Sequence, residues 1–170
     1  MKKALYIMGV LDDDDCDWLA RHGQRQTVAP GTVLIQQGQP EPSALYVILE
    51  GQLSVDMQGR QVSQMEVGEM FGEVSFVDSR PPSATVRALA TTHLLAIDRA
   101  LIRQKLDSDP GFASRLYRAI AVFLADRLRR DLGGTAPDED PDELSPELMD
   151  SVAMDGERFT RVLQQLRSPR

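Results

Sequence analysis

The 170-residue chain is long enough for one ordinary domain and some short additional segments, but too short for two hydrophobic cores. Its net charge of −7 and its hydrophobic content of 42% are typical of a soluble globular protein, and 5% aromatic residues argue against a stacking platform for single-stranded nucleic acid. The single cysteine excludes an intrachain disulfide. One cysteine and two histidines also give the chain few of the side chains that usually bind a metal ion.

The first ten residues combine two lysines with an apolar stretch, as the start of a signal peptide does. The apolar stretch ends at the four aspartates of residues 12–15, and no small-residue cleavage site follows. No apolar run approaches the roughly 20 residues of a membrane span, so we predict neither a signal peptide nor a span. The lone thiol of Cys16 is typical of a reducing compartment, and the expected location is the cytoplasm.

Residues 24–98 show the period of two that predicts β-strands, interrupted by glycines that suit tight turns. Leu53, Val55 and Met57 alternate with polar residues, so Ser54 is expected on the solvent side of a half-buried strand. Further strands are predicted at residues 33–35, 45–49, 85–88 and 94–97. Seven or eight short strands at this spacing suggest a closed or sandwich-like antiparallel roll, a fold that often keeps a concave ligand site.

The pattern changes to a helical period after Asp98, which is placed to cap a short helix ending near residues 109–111. A longer helix is predicted over residues 112–132. Its central stretch, residues 119–125, is apolar on all sides, which is more than one packing surface requires. We therefore expect this helix to contact the roll on one side and its own copy in a homodimer on the other.

An acidic segment follows the long helix. Residues 133–150 contain seven acids and no base, and the other 19 acids equal the 19 Lys and Arg of the chain. Residues 133–147, rich in Pro, Gly and acids, are predicted to be a solvated linker. Residues 148–170 are predicted to contain a short amphipathic helix, which either folds back on the domain or docks on a partner.

Two segments carry a family resemblance: TVLIQQGQPEPSALYVILEGQLSV at residues 32–55, and VGEMFGEVSFVDSRPPSATVRA at residues 67–88. Together they resemble the cyclic nucleotide-binding domain family, the sensor module of the catabolite activator protein and of the cAMP-dependent kinase regulatory subunit. The resemblance implies an α+β fold: an antiparallel eight-stranded, jelly-roll-like β-roll with a leading helical segment over residues 12–23 and two trailing helices. The corresponding domain would occupy residues 1–132.

In this family a phosphate-binding cassette, here residues 71–86, holds the ligand. The resemblance implies that the carboxylate of Glu73 accepts a hydrogen bond from the ribose 2′-hydroxyl, while Gly72 lets the backbone come close. Ser83 and Ala84 would face the phosphate. The candidate ligand-binding residues are Phe71, Gly72, Glu73, Val74, Arg80, Pro82, Ser83, Ala84 and Thr85. No residue is assigned a catalytic or metal-binding role.

The cassette departs from the family at Pro82, where the family has an arginine directed at the phosphate. Proline has neither a charge nor an N–H group. The loss of a charge-assisted hydrogen bond of about 1.5–3 kcal/mol would weaken binding roughly 10- to 150-fold. Arg80, two residues earlier, is the candidate substitute. The expected ligand is therefore cAMP or cGMP bound with low affinity, or another small anion.

Two functions remain open from the sequence. The first is a non-enzymatic regulatory sensor that binds a cyclic nucleotide and signals to a protein partner through the long helix or the C-terminal tail. The second is a degenerate module that has lost the ligand and acts as a dimeric scaffold. DNA binding is not expected, because only 38 residues follow Leu132 and the first of them are acidic. No catalytic constellation can be assembled from Cys16, His22 and His93, so no enzyme is predicted.

Overall fold

The computed structural model describes residues 9–40, 42–133 and 156–167. The elements in chain order are α1 (Asp13–His22), β1 (Gln24–Val28), β2 (Val33–Ile35), β3 (Ala44–Glu50), β4 (Leu53–Met57), β5 (Arg60–Met65), β6 (Met70–Phe71), α2 (Glu73–Asp78), β7 (Thr85–Ala88), β8 (Thr92–Asp98), α3 (Arg99–Ser108), α4 (Pro110–Gly133) and α5 (Gly156–Arg167). No helix in these three ranges is both long enough and apolar enough to cross a membrane. The predicted acidic linker lies outside the described residues, apart from Gly133.

The eight strands form two four-stranded antiparallel sheets. The strand orders are β1-β8-β3-β6 in the first sheet and β2-β7-β4-β5 in the second. Helix α1 precedes the sheets, and α3 and α4 follow them, so the predicted β-roll with a leading helix and two trailing helices is confirmed. The two sheets are not joined into a closed barrel.

The two central strands of the first sheet, β3 and β8, are buried on both faces, in keeping with their two-sided apolar sequences, whereas the edge strand β1 is mostly exposed. One face of β3 packs against the second sheet through Tyr46 and Ile48. The opposite face packs against the helices through Leu45 and Val47. The sheet therefore separates two cores, one between the sheets and one under the helices.

The burial of Ser54 on β4 differs from the prediction. Ser54 is only 2% exposed, although the alternation of β4 predicts a solvent-facing residue. It is paired across the sheet with Arg87 of β7 and Gln64 of β5, and its hydroxyl donates to the Asp56 carboxylate at 3.2 Å. A short side chain between two long neighbours on a central strand is covered by them, so the prediction was wrong for this residue.

The trailing helices begin at aspartate caps. The Asp98 side chain accepts hydrogen bonds from the N–H groups of Ala100 and Leu101, so its predicted capping role is confirmed. Asp109 caps α4 by accepting from the Phe112 N–H at 2.9 Å. The hydrogen bonds from Lys105 and from this N–H lower the pKa of the Asp109 carboxyl. Both helix starts are therefore fixed by local chemistry.

Helix α1 is joined to α4 by a partly buried ion pair. Asp12 and Asp15 form a capping box at the start of α1. The Arg115 guanidinium of α4 donates to both Asp15 oxygens, at 2.6 and 2.9 Å, and lies 3.0 Å from the Asp12 carboxylate. The side chain of Asp15 is only 3% exposed. Its hydrogen bond to Arg115 raises the pKa of the guanidinium above its ordinary value, so the arginine stays charged.

Helix α5 lies back on the domain. Leu166 is fully buried in the core under the helices, and Leu163 is 8% exposed. The Arg25 guanidinium of β1 donates to the carbonyls of Leu166 and Arg167, at 2.8 and 3.2 Å. In return, the Arg167 guanidinium donates to the Leu49 carbonyl of β3. Two arginines thus fasten the last turn of α5 to the first sheet.

We expect Leu166→Ala to release α5. Truncation of a buried leucine costs about 2–5 kcal/mol, and α5 has few other buried apolar side chains among its described residues. Amide hydrogen exchange in α5 should therefore accelerate by roughly 30-fold or more, while exchange in β3 and β8 changes little. Arg161→Ala, on the exposed side of α5, is the control and should leave the rates within about threefold. Unchanged exchange in Leu166→Ala would contradict this docking.

Candidate functional site

A cavity of about 200 Å³ lies between the second sheet and the segment that runs from β6 to β7. The strands contribute an apolar floor, and the segment contributes the polar rim. The lining residues are Ile35, Val55, Met57, Val62, Ser63, Met65, Phe71, Gly72, Glu73, Val74, Ser75, Pro82, Ser83, Ala84 and Val86. A concave, mostly apolar site with a few polar groups is what small-molecule binding requires.

Gly72 sets the position of α2 at this cavity. Its φ of 90° lies in the left-handed region that glycine tolerates. A Cβ at this position would lie 3.1 Å from the Ala44 carbonyl oxygen of β3, so the backbone also approaches too closely for a side chain. Glycine therefore allows the chain to turn from β6 directly into α2 beside the cavity.

Glu73 is the acidic residue of the cavity wall. It is the first residue of α2 and only 2% exposed. Ser75, on the same helix, is 5% exposed. Buried carboxyl and hydroxyl groups that border a cavity are suited to hydrogen bonds with a polar ligand.

Pro82 is buried in the opposite rim. Its carbonyl accepts a hydrogen bond from the Gly38 N–H at 3.0 Å, which ties the 79–84 loop to the loop between β2 and β3. The ring of Pro82 thus occupies a fixed place in the wall and supplies an apolar surface there.

The structure brings most of the predicted ligand-binding residues together and leaves two outside. Those in the cavity wall are Phe71, Gly72, Glu73, Val74, Pro82, Ser83 and Ala84. Arg80 is outside, with a side chain 83% exposed and its Nε 4.0 Å from the Asp78 carboxylate. Thr85 is outside as well: its hydroxyl accepts hydrogen bonds from Gln36 Nε2 and the Gln37 N–H, at 3.2 and 3.1 Å. Thr85 therefore fixes the β2–β3 loop.

Apart from Ser75 of α2, the lining residues that the prediction did not name lie on strands. Val55 and Met57 on β4, and Val62 and Met65 on β5, form part of the floor. Met57 and Val62 are 38% and 48% exposed although both are apolar. The alternation of β4 is the sequence signal that could have found this face, because its apolar side has to cover either a core or a ligand.

Arg99 connects the cavity segment to the trailing helices. It is 5% exposed and opens α3, directly after the Asp98 cap. Its Nη2 donates to the Ser75 carbonyl of α2 at 2.7 Å, and its Nη1 donates to the Pro42 carbonyl at 3.2 Å. The guanidinium also lies over the Phe76 ring, 5.3 Å from its centroid. A movement of α2 would therefore displace the Arg99 contacts at the start of α3.

An aromatic pair supports the cavity from behind. Tyr46 of β3 stacks on Phe71 of β6, with ring centroids 4.8 Å apart. Burial raises the pKa of the Tyr46 hydroxyl. The tyrosine stays protonated at neutral pH and adds no charge behind the cavity.

The sequence profile described as "Cyclic nucleotide-binding domain" matches residues 25–109, half of the chain. The matched region contains all eight strands except the first residue of β1, and the whole cavity wall. The chain belongs to the cyclic nucleotide-binding domain family. Within the described ranges, no group of three His, Cys, Asp or Glu residues could hold a metal ion.

Relatives of this family occur in larger proteins. A putative potassium channel protein of Rhodopseudomonas palustris is 29% identical over 57% of the chain, which covers 24% of that relative. The cGMP-dependent protein kinase of Toxoplasma gondii is 31% identical over 72% of the chain, which covers 12% of that relative. The chain thus spans a quarter or less of each of these two proteins.

A solved structure shares both the fold and a measurable sequence identity. It is the N-terminal domain of a transcriptional regulator from Streptomyces coelicolor A3(2), with a TM-score of 0.62 and 29% identity. The likeness covers 77% of this chain and 94% of that chain. The sequence profile and this structural likeness thus agree on a cyclic nucleotide-binding domain.

Proposed function

We propose that this chain is a non-enzymatic sensor that binds a cyclic nucleotide weakly in the cavity and reports its binding state to a protein partner. Cyclic nucleotides offer a ribose hydroxyl, a phosphate and a purine. The observation that supports the proposal is the placement of Glu73: a buried acidic side chain borders an apolar cavity in the segment that the family uses for its ligand.

Weak binding follows from Pro82. The family's phosphate arginine is replaced by a buried ring in the wall, and Arg80 points to Asp78 and solvent. For a sensor with a reference dissociation constant of about 1 µM, the missing charge-assisted bond would give a constant of roughly 10–150 µM. We propose that this low affinity is a property of the site in the intact protein.

In this proposal, ligand binding changes the position of the trailing helices α3 and α4, which contact the partner. Arg99 ties α2 to the start of α3, so a ligand that stabilises one position of α2 also biases α3 and α4. On α4, Tyr117 and Leu128 are 46% and 57% exposed. We propose that this exposed side of α4 contacts a second copy or a protein partner, in a cytoplasmic setting.

Calorimetric titration with cAMP and cGMP tests the ligand. We expect saturable binding to the full chain with a dissociation constant of roughly 10–150 µM, and a loss of at least tenfold in Glu73→Ala, because the acceptor for the ribose hydroxyl is removed. The control is Glu50→Gln at the exposed end of β3, outside the cavity, which should bind as the unchanged protein does. Absence of binding to every nucleoside and nucleotide would instead favour the scaffold function.

A further inference from the structure

The cavity wall has an unusual charge composition for an anion site. Among the fifteen lining residues, all of them described, there is no Lys, Arg or His. Glu73 is the one acidic residue of the wall. The other polar side chains of the wall are the hydroxyls of Ser63, Ser75 and Ser83. The side chains of this wall therefore offer an anionic ligand no cation.

The arginines of neighbouring elements are engaged elsewhere. Arg80 has a backbone N–H that donates to the Asp78 carboxylate at 3.0 Å, and its side chain faces solvent. Arg87 of β7 is exposed, and its Nη1 donates to the Gly31 carbonyl at 3.1 Å. Arg99 donates to the carbonyls of Ser75 and Pro42 and is not part of the wall. Arg60 is exposed at the tip of the β4–β5 hairpin, and Arg103 of α3 lies over the Phe76 ring, 5.8 Å from its centroid, outside the wall.

A buried phosphodiester anion needs a compensating charge or a full set of hydrogen-bond donors. Here the position that would supply the charge is Pro82, which brings no N–H donor of its own. An uncharged ligand of similar shape avoids the cost of burying the anion next to Glu73. It still offers hydroxyl groups to the carboxylate and a flat ring to the apolar floor of Val55, Met57 and Val62.

We propose that the cavity selects an uncharged ribonucleoside over the corresponding cyclic nucleotide. The proposal rests on the proposed function, because it concerns the same cavity, and it reverses the charge preference that the family's phosphate arginine would impose. A nucleoside offers two ring hydroxyls of its ribose to an acceptor carboxylate, whereas a 3′,5′-cyclic phosphate leaves only the 2′-hydroxyl free.

Paired titrations of the full chain with adenosine and cAMP, and with guanosine and cGMP, test the proposal. We expect at least one nucleoside to bind roughly tenfold or more tightly than its cyclic monophosphate. The preference should persist in the double variant Arg60→Gln/Arg80→Gln, since neither arginine lines the cavity. It should weaken or disappear in Glu73→Ala, which removes the acceptor.

Three outcomes overturn the proposal, and they separate it from the proposed function. A cyclic nucleotide that binds more tightly than its nucleoside overturns the selectivity and leaves the nucleotide sensor standing. A selectivity that changes in the arginine double variant shows that a cation reaches the ligand after all. Absence of binding by both members of both pairs overturns the selectivity and the sensor together.

Discussion

Replacing Pro82 with arginine is expected to tighten cyclic nucleotide binding roughly 10- to 150-fold, since a charge-assisted hydrogen bond to the phosphate contributes about 1.5–3 kcal/mol. The backbone at this position is held by the hydrogen bond from the Gly38 N–H to the Pro82 carbonyl, which the substitution preserves. The guanidinium would enter a wall that has no other cation. Calorimetry with cAMP and cGMP measures the change.

The matched control is Pro82→Ala, which removes the ring without adding a charge. It should leave affinity within about threefold, so that the gain in Pro82→Arg is assigned to the charge and not to a more flexible loop. Pro82→Arg should also reverse the preference between nucleoside and cyclic nucleotide. A variant that unfolds at the same denaturant concentration as the unchanged protein but binds no more tightly would show that residue 82 does not face the phosphate.

The second large effect concerns stability. Arg115→Ala is expected to lower the free energy of unfolding by about 2–4 kcal/mol, because it leaves the Asp15 carboxylate buried without its guanidinium, while the partial exposure of Arg115 keeps the loss below that of a fully buried pair. The side chain of Asp15 is 3% exposed, and both of its oxygens accept from Arg115. Urea denaturation of the full chain measures the loss.

Two further variants separate this ion pair from general effects on α4. Arg118→Ala removes an exposed arginine one turn away and should change stability by no more than about 0.5 kcal/mol. The double variant Asp15→Ala/Arg115→Ala removes both charges and should be more stable than Arg115→Ala alone. A loss below about 1 kcal/mol in Arg115→Ala would mean that water reaches the Asp15 carboxylate and solvates it.

The strands and the caps were predictable from sequence because their causes are local. The alternation of β4 and the two-sided apolar runs of β3 and β8 predict strands, and Asp98 before a helical period predicts a cap. The cavity segment was recognised by its motif, and the structure places Glu73 and Pro82 in one wall. In each case the residues that decide the structure are close together in the chain.

The contacts that sequence reasoning missed join distant parts of the chain. Arg99 and Ser75 are 24 residues apart, and Arg115 and Asp15 are 100 residues apart. A charged residue on a helix is usually solvated, so neither arginine stood out in the sequence. The docking of α5 was left open because an amphipathic face is compatible with an intramolecular or an external partner. Only the relative placement of the sheets and helices decides these pairings.

The hydrogen bonds of Arg25 and Arg167 between α5 and the first sheet have a consequence for cleavage of the chain. Because Arg25 holds the last carbonyls of α5 and Arg167 reaches Leu49, the helix does not depend on the connecting peptide for its contacts with the roll. A protease cut between residues 133 and 156 would therefore leave these contacts possible while removing the covalent tether. The shorter fragment would then behave as an exchangeable subunit, with an occupancy set by concentration instead of by the covalent backbone.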